Sequence, residues 1–495
     1  MDVFVCLLPV FFPIVMGALI ALIRFKNDRK RHIYVSIVTI VNTVFMALVM
    51  FAFRPEGTVQ IVNMAGNLSI SFHVDGVGCV FGSLISLLWP IAVVYSFEYM
   101  KHEGGENAFY TFYTMTYGIT AGIAFAGNVM TMYLFYELLT FVTLPLVMHG
   151  MSKKSVFAGR RYVTYSVGGA AFAFVGMCVI YAFAGKNNVQ FTYNGLFNSS
   201  LLQTDEKNML LVAYLMMALG FGVKAALIPM HRWLPTASVA PTPVTALLHA
   251  VAVVKAGAFA ILRITFYVFG PDLLRGTYAQ YILMTFSIVT IIFGSAMALK
   301  EQHMKRRLAY STVSNLSYLV FGISLMTTDG LTGTLTHMFA HGVIKITLFF
   351  CAGAILCKTG LEYVHDLRGL GKRMPITFFC FTVGSAAIVG IPPLPGFIGK
   401  WNLATAAVKE GSILAYCGVA ALIISAILTA LYMFLIVFKA CFPSKEKFEE
   451  GKRKCEAGKC MTVPLVLLCV IMLVLGLFGG PLTDLLREIA RGGVV

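Results

Sequence analysis

Apolar runs of about twenty residues recur along the whole chain, separated by short polar stretches. At about 1.5 Å per residue, a helix of that length crosses the roughly 30 Å of a bilayer's hydrocarbon. The pattern predicts fourteen spans, at 3–23, 33–53, 76–97, 109–126, 130–149, 161–184, 208–228, 242–269, 280–299, 307–326, 331–357, 375–410, 412–438 and 461–480. Three places break the rhythm. Between Thr58 and Asp75 apolar and polar residues alternate around Ala65-Gly66-Asn67, which predicts a small β-hairpin outside the membrane. The stretch from Pro375 to Glu410 would be about 54 Å long as one helix. Its middle, "GIPPLPGFIGK", holds Pro392, Pro393 and Pro395, which cannot all continue a helix. After the seventh span, "IPMHRWLPTASVAPTPV" is broken by Pro229, Pro235, Pro241 and Pro243. Unwound backbone at membrane depth survives only when buried in protein or facing water, and in transporters it commonly lies on the ion route.

Composition agrees with the pattern. The 495 residues are 58% hydrophobic and 12% charged, with a mean hydropathy of +0.82, where a soluble protein carries about 25% charge. The net charge of +16 admits nucleic acid as a partner, but its placement argues for topology instead. The loops following odd-numbered spans hold 26 Lys and Arg against 8 on the other side, an asymmetry that places both termini outside. No nucleic-acid role is expected. The first run, Val3 to Ile23, lacks a basic start and a small-residue cleavage site and reads as a retained span. Eleven cysteines are scattered without a C-x-x-C pair, so no metal and no disulfide are expected. "GFIGK" is too short for a phosphate-binding loop, and no Ser-His-Asp set is present. No cofactor is implied.

The candidate chemistry lies inside the spans. Glu137 stands alone among the 22 acidic residues in lying deep within an apolar run. Lys224, Lys255, Lys345 and Lys400 do the same among the bases, with His249, His337 and His341 beside them. A centred charge costs roughly 2.5–3.5 kcal/mol, so seven such basic groups would cost on the order of 15 kcal/mol if charged and unpaired. That exceeds an ordinary stability margin. They must be neutral, paired or hydrated, and each of those conditions suits a proton path. Blander readings exist. Lys224, five residues before Pro229, could snorkel to a membrane face, and His249 could be a hydrogen-bonded core histidine. His337, His341 and Lys345 follow i, i+4, i+8 spacing and share one helix face. In general a buried lysine releases its proton more readily and a buried carboxylate less readily, while histidine already titrates near neutrality. A Glu–Lys contact would couple the two protonation states.

At these residues the sequence resembles the antiporter-like subunits shared by respiratory complex I, membrane-bound hydrogenases and Mrp cation/proton antiporters. The segments are "GFGVKAALIPMHRWLPTASVAPTPVTALLHAVAVVKAGAFAILR", "YELLTFVTLPL", "RRLAYSTVSNLSYL", "HMFAHGVIKITLFF" and "GIPPLPGFIGKW". The resemblance covers roughly residues 70–440. It implies an all-α polytopic fold of about fourteen helices with two inverted five-helix repeats, spans four to eight and nine to thirteen, whose seventh and twelfth spans are broken. The divisions would be 1–108 with three helices and the hairpin, 109–269, 270–440, and 441–495 with a charged loop and the last helix. It also implies a Glu137/Lys224 pair, Lys255 as central relay, His337, His341 and Lys345 in a second half-channel, and Lys400 at the exit. His249 stands where relatives carry polar residues. The short C-terminal region and a lysine at 400 look closest to the D-type member of Mrp complexes and its hydrogenase- or formate-linked counterparts.

The expected function is proton translocation, with sodium as a second candidate ion, by a subunit partnered with other membrane subunits. The expected location is a cell membrane of prokaryotic inner-membrane type. An ion-inert scaffold, a subunit of a redox-driven pump, and a stand-alone carrier are the rival readings.

Overall fold

The computed structural model describes residues 2–55, 57–66, 68–184, 189–442 and 455–493. Most of the charged loop expected between Phe442 and Cys460 falls outside them, as do Asn67 at the hairpin turn and Lys186.

The chain is a largely helical, multi-pass membrane protein. Its first part comprises α1 (Asp2–Ile23), α2 (Asp28–Ala47), the strands β1 (Val59–Ala65) and β2 (Leu68–Phe72), and α3 (Gly76–Glu103). β1 and β2 pair antiparallel, with Val59 opposite Phe72, so the alternating stretch forms the expected hairpin. Then come α4 (Glu106–Ala124), α5 (Val129–Val147), α6 (Lys153–Ala184), α7 (Thr204–Gly222) and the short α8 (Trp233–Ala237). α9 (Thr242–Ala250) and α10 (Val253–Ile264) are followed by α11 (Pro271–Leu274), α12 (Tyr278–Lys300), α13 (Met304–Ser324) and α14 (Thr328–Thr359). α15 (Leu370–Arg373), α16 (Pro375–Val389), α17 (Pro395–Glu410), α18 (Ile413–Cys441), α19 (Lys459–Leu477) and α20 (Gly479–Ala490) complete the chain. Among the described residues, ten helical stretches are long and apolar enough to cross a membrane. The four other expected spans correspond to α4, α7, α13 and the α16–α17 pair.

Local sequence explains where these helices start and stop. Asp75 caps α3 by accepting from the Gly78 amide at 2.8 Å, and Asn128 caps α5 by accepting from the Thr131 amide at 2.8 Å. α16 ends at Gly390, whose φ of +94° suits a residue without a Cβ. The prolines that follow hold the chain open until α17 begins at Pro395, a favoured first position. The twelfth span is therefore broken where its prolines predict.

The seventh span also breaks, but earlier than expected. α7 stops at Gly222, not near residue 228, and Lys224 lies in the unwound segment beyond it. Side chains from elsewhere support that segment. Trp233 Nε1 donates to the Val223 carbonyl at 2.7 Å, and the Ile228 amide donates to Thr290 Oγ1 at 3.1 Å. The eighth span departs from expectation as well. Its sequence predicts one continuous helix over 242–269, yet Val251 and Ala252 separate α9 from α10.

α14 is the hub, packing against α3, α9, α13, α16, α17, α19 and α20. Enclosure is uneven. The most apolar window of Thr242–Phe269 is 100% buried and that of Thr328–Thr359 is 89% buried, against 33% for Phe4–Ile23 and for Lys153–Ala184. The spans carrying the most internal charge are thus those wrapped in protein, while nearly uncharged α1 faces outward.

One base near the end of a predicted span is buried and paired. Arg263 is 1% exposed and donates through both terminal nitrogens to Asp75, with Nη2 2.6 Å from Oδ1. This pair ties the start of α3 to the end of α10. Removing one partner of a buried pair typically costs about 3–5 kcal/mol. Arg263→Met alone should therefore lower the midpoint of thermal unfolding, and Arg263→Met combined with Asp75→Asn should recover part of the loss.

Candidate functional site

Every lysine predicted from sequence to lie inside the bundle is held by backbone carbonyls. Lys224 is fully buried, donates to the Tyr136 carbonyl of α5, and sits 3.4 Å from the centre of the Tyr136 ring. The snorkelling alternative for Lys224 is therefore not adopted. Lys255 is fully buried and donates to the carbonyl of Ala250. The interruption at Val251 and Ala252 disturbs the helical ladder beside this carbonyl, and the ammonium takes its place as donor. Lys345 is fully buried, with Nζ 3.1 Å from the Leu308 carbonyl of α13. Lys400 is half-buried and donates to the carbonyls of Ile388 and Val389 at 2.7 and 2.9 Å. Those are among the last carbonyls of α16, the negative end of its dipole.

A carbonyl accepts an N–H from a neutral amine as well as from an ammonium. A carboxylate in the same place would favour the charged form and hold the proton. Carbonyl anchors keep each lysine positioned in either state.

Glu137 and Lys224, expected as a pair, lie close enough to feel one another's charge. Among the described residues, no direct ion pair joins them. The ammonium bonds the carbonyl of the residue before Glu137, and Glu137 Oε1 is buried without a hydrogen-bond partner from the protein. The expected contact is thus an adjacency, because the unwound segment brings Lys224 to the α5 backbone first.

The three histidines are buried, and none of their six ring nitrogens has a protein partner. That argues against His249 as a core histidine satisfied by a neighbouring helix; its ring instead stacks on Phe349, with centroids 4.6 Å apart. His337 and His341 lie on α14 with ring centroids 5.9 Å apart, and Tyr318 lies 5.2 Å from His337. Buried polar atoms are rarely left without partners, so three such imidazoles are unlike ordinary core residues.

Close approaches at glycine join these groups into one constellation. A Cβ built on Gly257 of α10 would stand 2.9 Å from the carbonyl carbon of Lys224, so α10 packs directly on the unwound segment. A Cβ on Gly342 of α14 would stand 2.7 Å from Lys255 Nζ, and one on Gly399 of α17 would stand 3.0 Å from His337 Nδ1. The order in space is therefore Glu137 and Lys224, then Lys255, then the α14 stripe of His337, His341 and Lys345, with α17, which carries Lys400, packed against His337.

Two features of this region escaped sequence reasoning. Lys305, read as a loop charge, is 6% exposed and donates to the Ala240 carbonyl at 2.9 Å. A buried hydroxyl cluster joins α12, α13 and α18: Tyr318 donates to Ser425 Oγ at 2.7 Å, and Ser425 lies 2.5 Å from Ser295 and 3.0 Å from Ser314. The serines in "STVSNLSY" were the available signal, but small hydroxyls also pack unremarkably between helices.

Residues 126–429 match the family described as NADH:quinone oxidoreductase/Mrp antiporter, TM. The chain is 30% identical over 411 residues to the N-type NADH-quinone oxidoreductase subunit of Desulforudis audaxviator, covering 80% of this chain and 79% of that one. It is 23% identical over 474 residues to the D-type Na(+)/H(+) antiporter subunit of Bacillus subtilis, covering 95% and 93%. Against the A-type Na(+)/H(+) antiporter subunit of Alkalihalophilus pseudofirmus it is 29% identical over 465 residues, covering 89% of this chain but only 56% of that longer protein. The fold is similar to a chain of the archaeal membrane-bound sulfane sulfur reductase, with a TM-score of 0.84 at 22% identity, covering 98% and 97%. It is also similar to a chain of the Mrp complex from Dietzia sp. DQ12-45-1b, with a TM-score of 0.83 at 22% identity, covering 98% and 96%.

Proposed function

Because the chain belongs to the NADH:quinone oxidoreductase/Mrp antiporter transmembrane family, we propose that it is a proton-translocating, antiporter-like subunit of a multisubunit membrane complex. Protons move between Glu137, Lys224, Lys255, His341, Lys345, His337 and Lys400, with His249 flanking the centre. The observation that carries this reading is the set of buried lysines anchored on neutral carbonyls beside imidazoles that have no protein partner. Water linking them completes a path on which each group takes up a proton and passes it on.

Residues 109–269 and 270–440 form the two half-channels, joined where Lys255 meets α14. Both termini lie outside a membrane of prokaryotic inner-membrane type, and the partners are other membrane subunits of the same complex. Relatives named as Na(+)/H(+) antiporter subunits make sodium the second ion to assay.

The test is proton flux through the purified, assembled complex in liposomes, read with a pH-sensitive dye. Replacing Lys224, Lys255, Lys345 and Lys400 together should stop flux without dissociating the complex. Unchanged flux would leave an ion-inert scaffold.

A subtler substitution probes geometry. Gly342→Val leaves every charge in place but puts a side chain against Lys255 Nζ and Leu84. Flux should fall several-fold while assembly holds. Wild-type flux would mean that the position of Lys255 does not matter.

A further inference from the structure

We propose that the cavity at the arginine- and lysine-rich end of the bundle is the mouth of the proton path, and that Lys305 carries protons between it and His249 and Lys345. The proposal rests on the translocation reading above and names a site that neither the motifs nor the resemblance assigned.

The cavity measures about 720 Å³ and is bounded by α6, α8, α12 and α13. Among its lining residues are His231, Glu301, His303, Lys305, Arg306 and Glu362. His303 Nε2 lies 3.4 Å from Glu362, and Arg306 lies 3.5 Å from Glu301. Carboxylates and imidazoles at a wet opening exchange protons with solution and hold them near the next acceptor.

Lys305 is the lining residue that reaches inward. It is 6% exposed, and its ammonium is 2.9 Å from the carbonyl of Ala240, in the loop that opens α9. Among the described residues no carboxylate forms an ion pair with it, although the charges of Glu103 and Glu362 reach it. It therefore shares the carbonyl anchorage of Lys224, Lys255, Lys345 and Lys400.

Two routes lead on from Lys305. Leu308, one turn further along α13, supplies the carbonyl that receives Lys345 at 3.1 Å. On the other side, Thr242, Thr245 and His249 follow the Ala240 loop at i, i+3, i+7 spacing, giving α9 a buried polar face.

The step balances without electrons. The neutral amine of Lys305 takes a proton from hydronium or from a protonated Glu362, so an N–H bond forms as an O–H bond breaks. The ammonium then gives that proton, through water, to a ring nitrogen of His249 or to the amine of Lys345, and Lys305 returns to its starting state.

A purely structural Lys305 would only pin the Ala240 loop, and arginine can do that while remaining charged. The experiment therefore compares Lys305→Ala with Lys305→Arg in the assembled complex in liposomes, with Glu137→Gln as the inactive control. Both variants should lower proton flux at least about tenfold with assembly unchanged. Wild-type flux in Lys305→Arg overturns the proposal and makes Lys305 an anchor. If Lys305→Ala fails to assemble, Lys305→Arg alone decides. If wild-type complex shows no more flux than Glu137→Gln, the translocation reading itself falls, and this proposal with it.

Discussion

Lys255→Ala should lower proton flux by about a hundredfold or more, within the range that a positioned proton-transfer group contributes. Lys255 lies on α10 against α14. α10 packs through Gly257 on the Lys224 segment, and its ammonium presses on Gly342 of α14. With the amine gone, protons reaching Lys224 have no acceptor before the α14 stripe. The folding cost is smaller than the functional one. The Ala250 carbonyl loses its lysine donor, worth about 1–3 kcal/mol, which a protein of this size absorbs. Lys255→Arg sharpens the result. Arginine keeps the positive charge but does not release its proton, so it should be as inactive as alanine. An active arginine variant would mean that the charge matters and the proton transfer does not. Flux in liposomes, with assembly checked by size-exclusion chromatography, separates these outcomes.

Glu137→Gln should be nearly as damaging, at least about a hundredfold in flux. The substitution keeps the shape and removes only the titration. Glu137 Oε1 accepts no hydrogen bond from the protein, so the amide gives up no hydrogen bond at that oxygen and the drop in melting temperature should be small beside the loss of flux. Glu137→Asp retains a carboxylate one methylene further from Lys224 and should keep partial activity. Equal flux in wild type and Glu137→Gln would remove this carboxylate from the path.

Much of the fold could be read in the chain because membranes constrain sequence strongly. Run lengths gave most of the spans, period-two alternation gave the hairpin, and Pro392, Pro393 and Pro395 gave the break between α16 and α17. The break between α9 and α10 had no such mark. "LLHAVAVVK" contains neither glycine nor proline, and the interruption comes with a side chain taking over a backbone acceptor, the Lys255 ammonium on the Ala250 carbonyl five residues earlier. The early end of α7 is similar, because Trp233 and Thr290 support the unwound chain from a distance.

The candidate site divides along the same line. Buried lysines and histidines stood out because charge in an apolar run is costly. Lys305 and Arg263 did not, since a base at a span end looks topogenic until neighbouring elements cover it. Glu137 and Lys224 show the limit of pairing by resemblance. The two groups are neighbours, but the nearest acceptor for Lys224 is the Tyr136 backbone.

The central claim is that these buried groups are joined by water. High-resolution density of the assembled complex in lipid tests it directly. Ordered waters are expected within about 3 Å of the ring nitrogens of His249, His337 and His341, continuing to Lys255 and Lys345. Density showing those nitrogens sealed in a dry interior, with no water between Lys255 and Lys345, would contradict it.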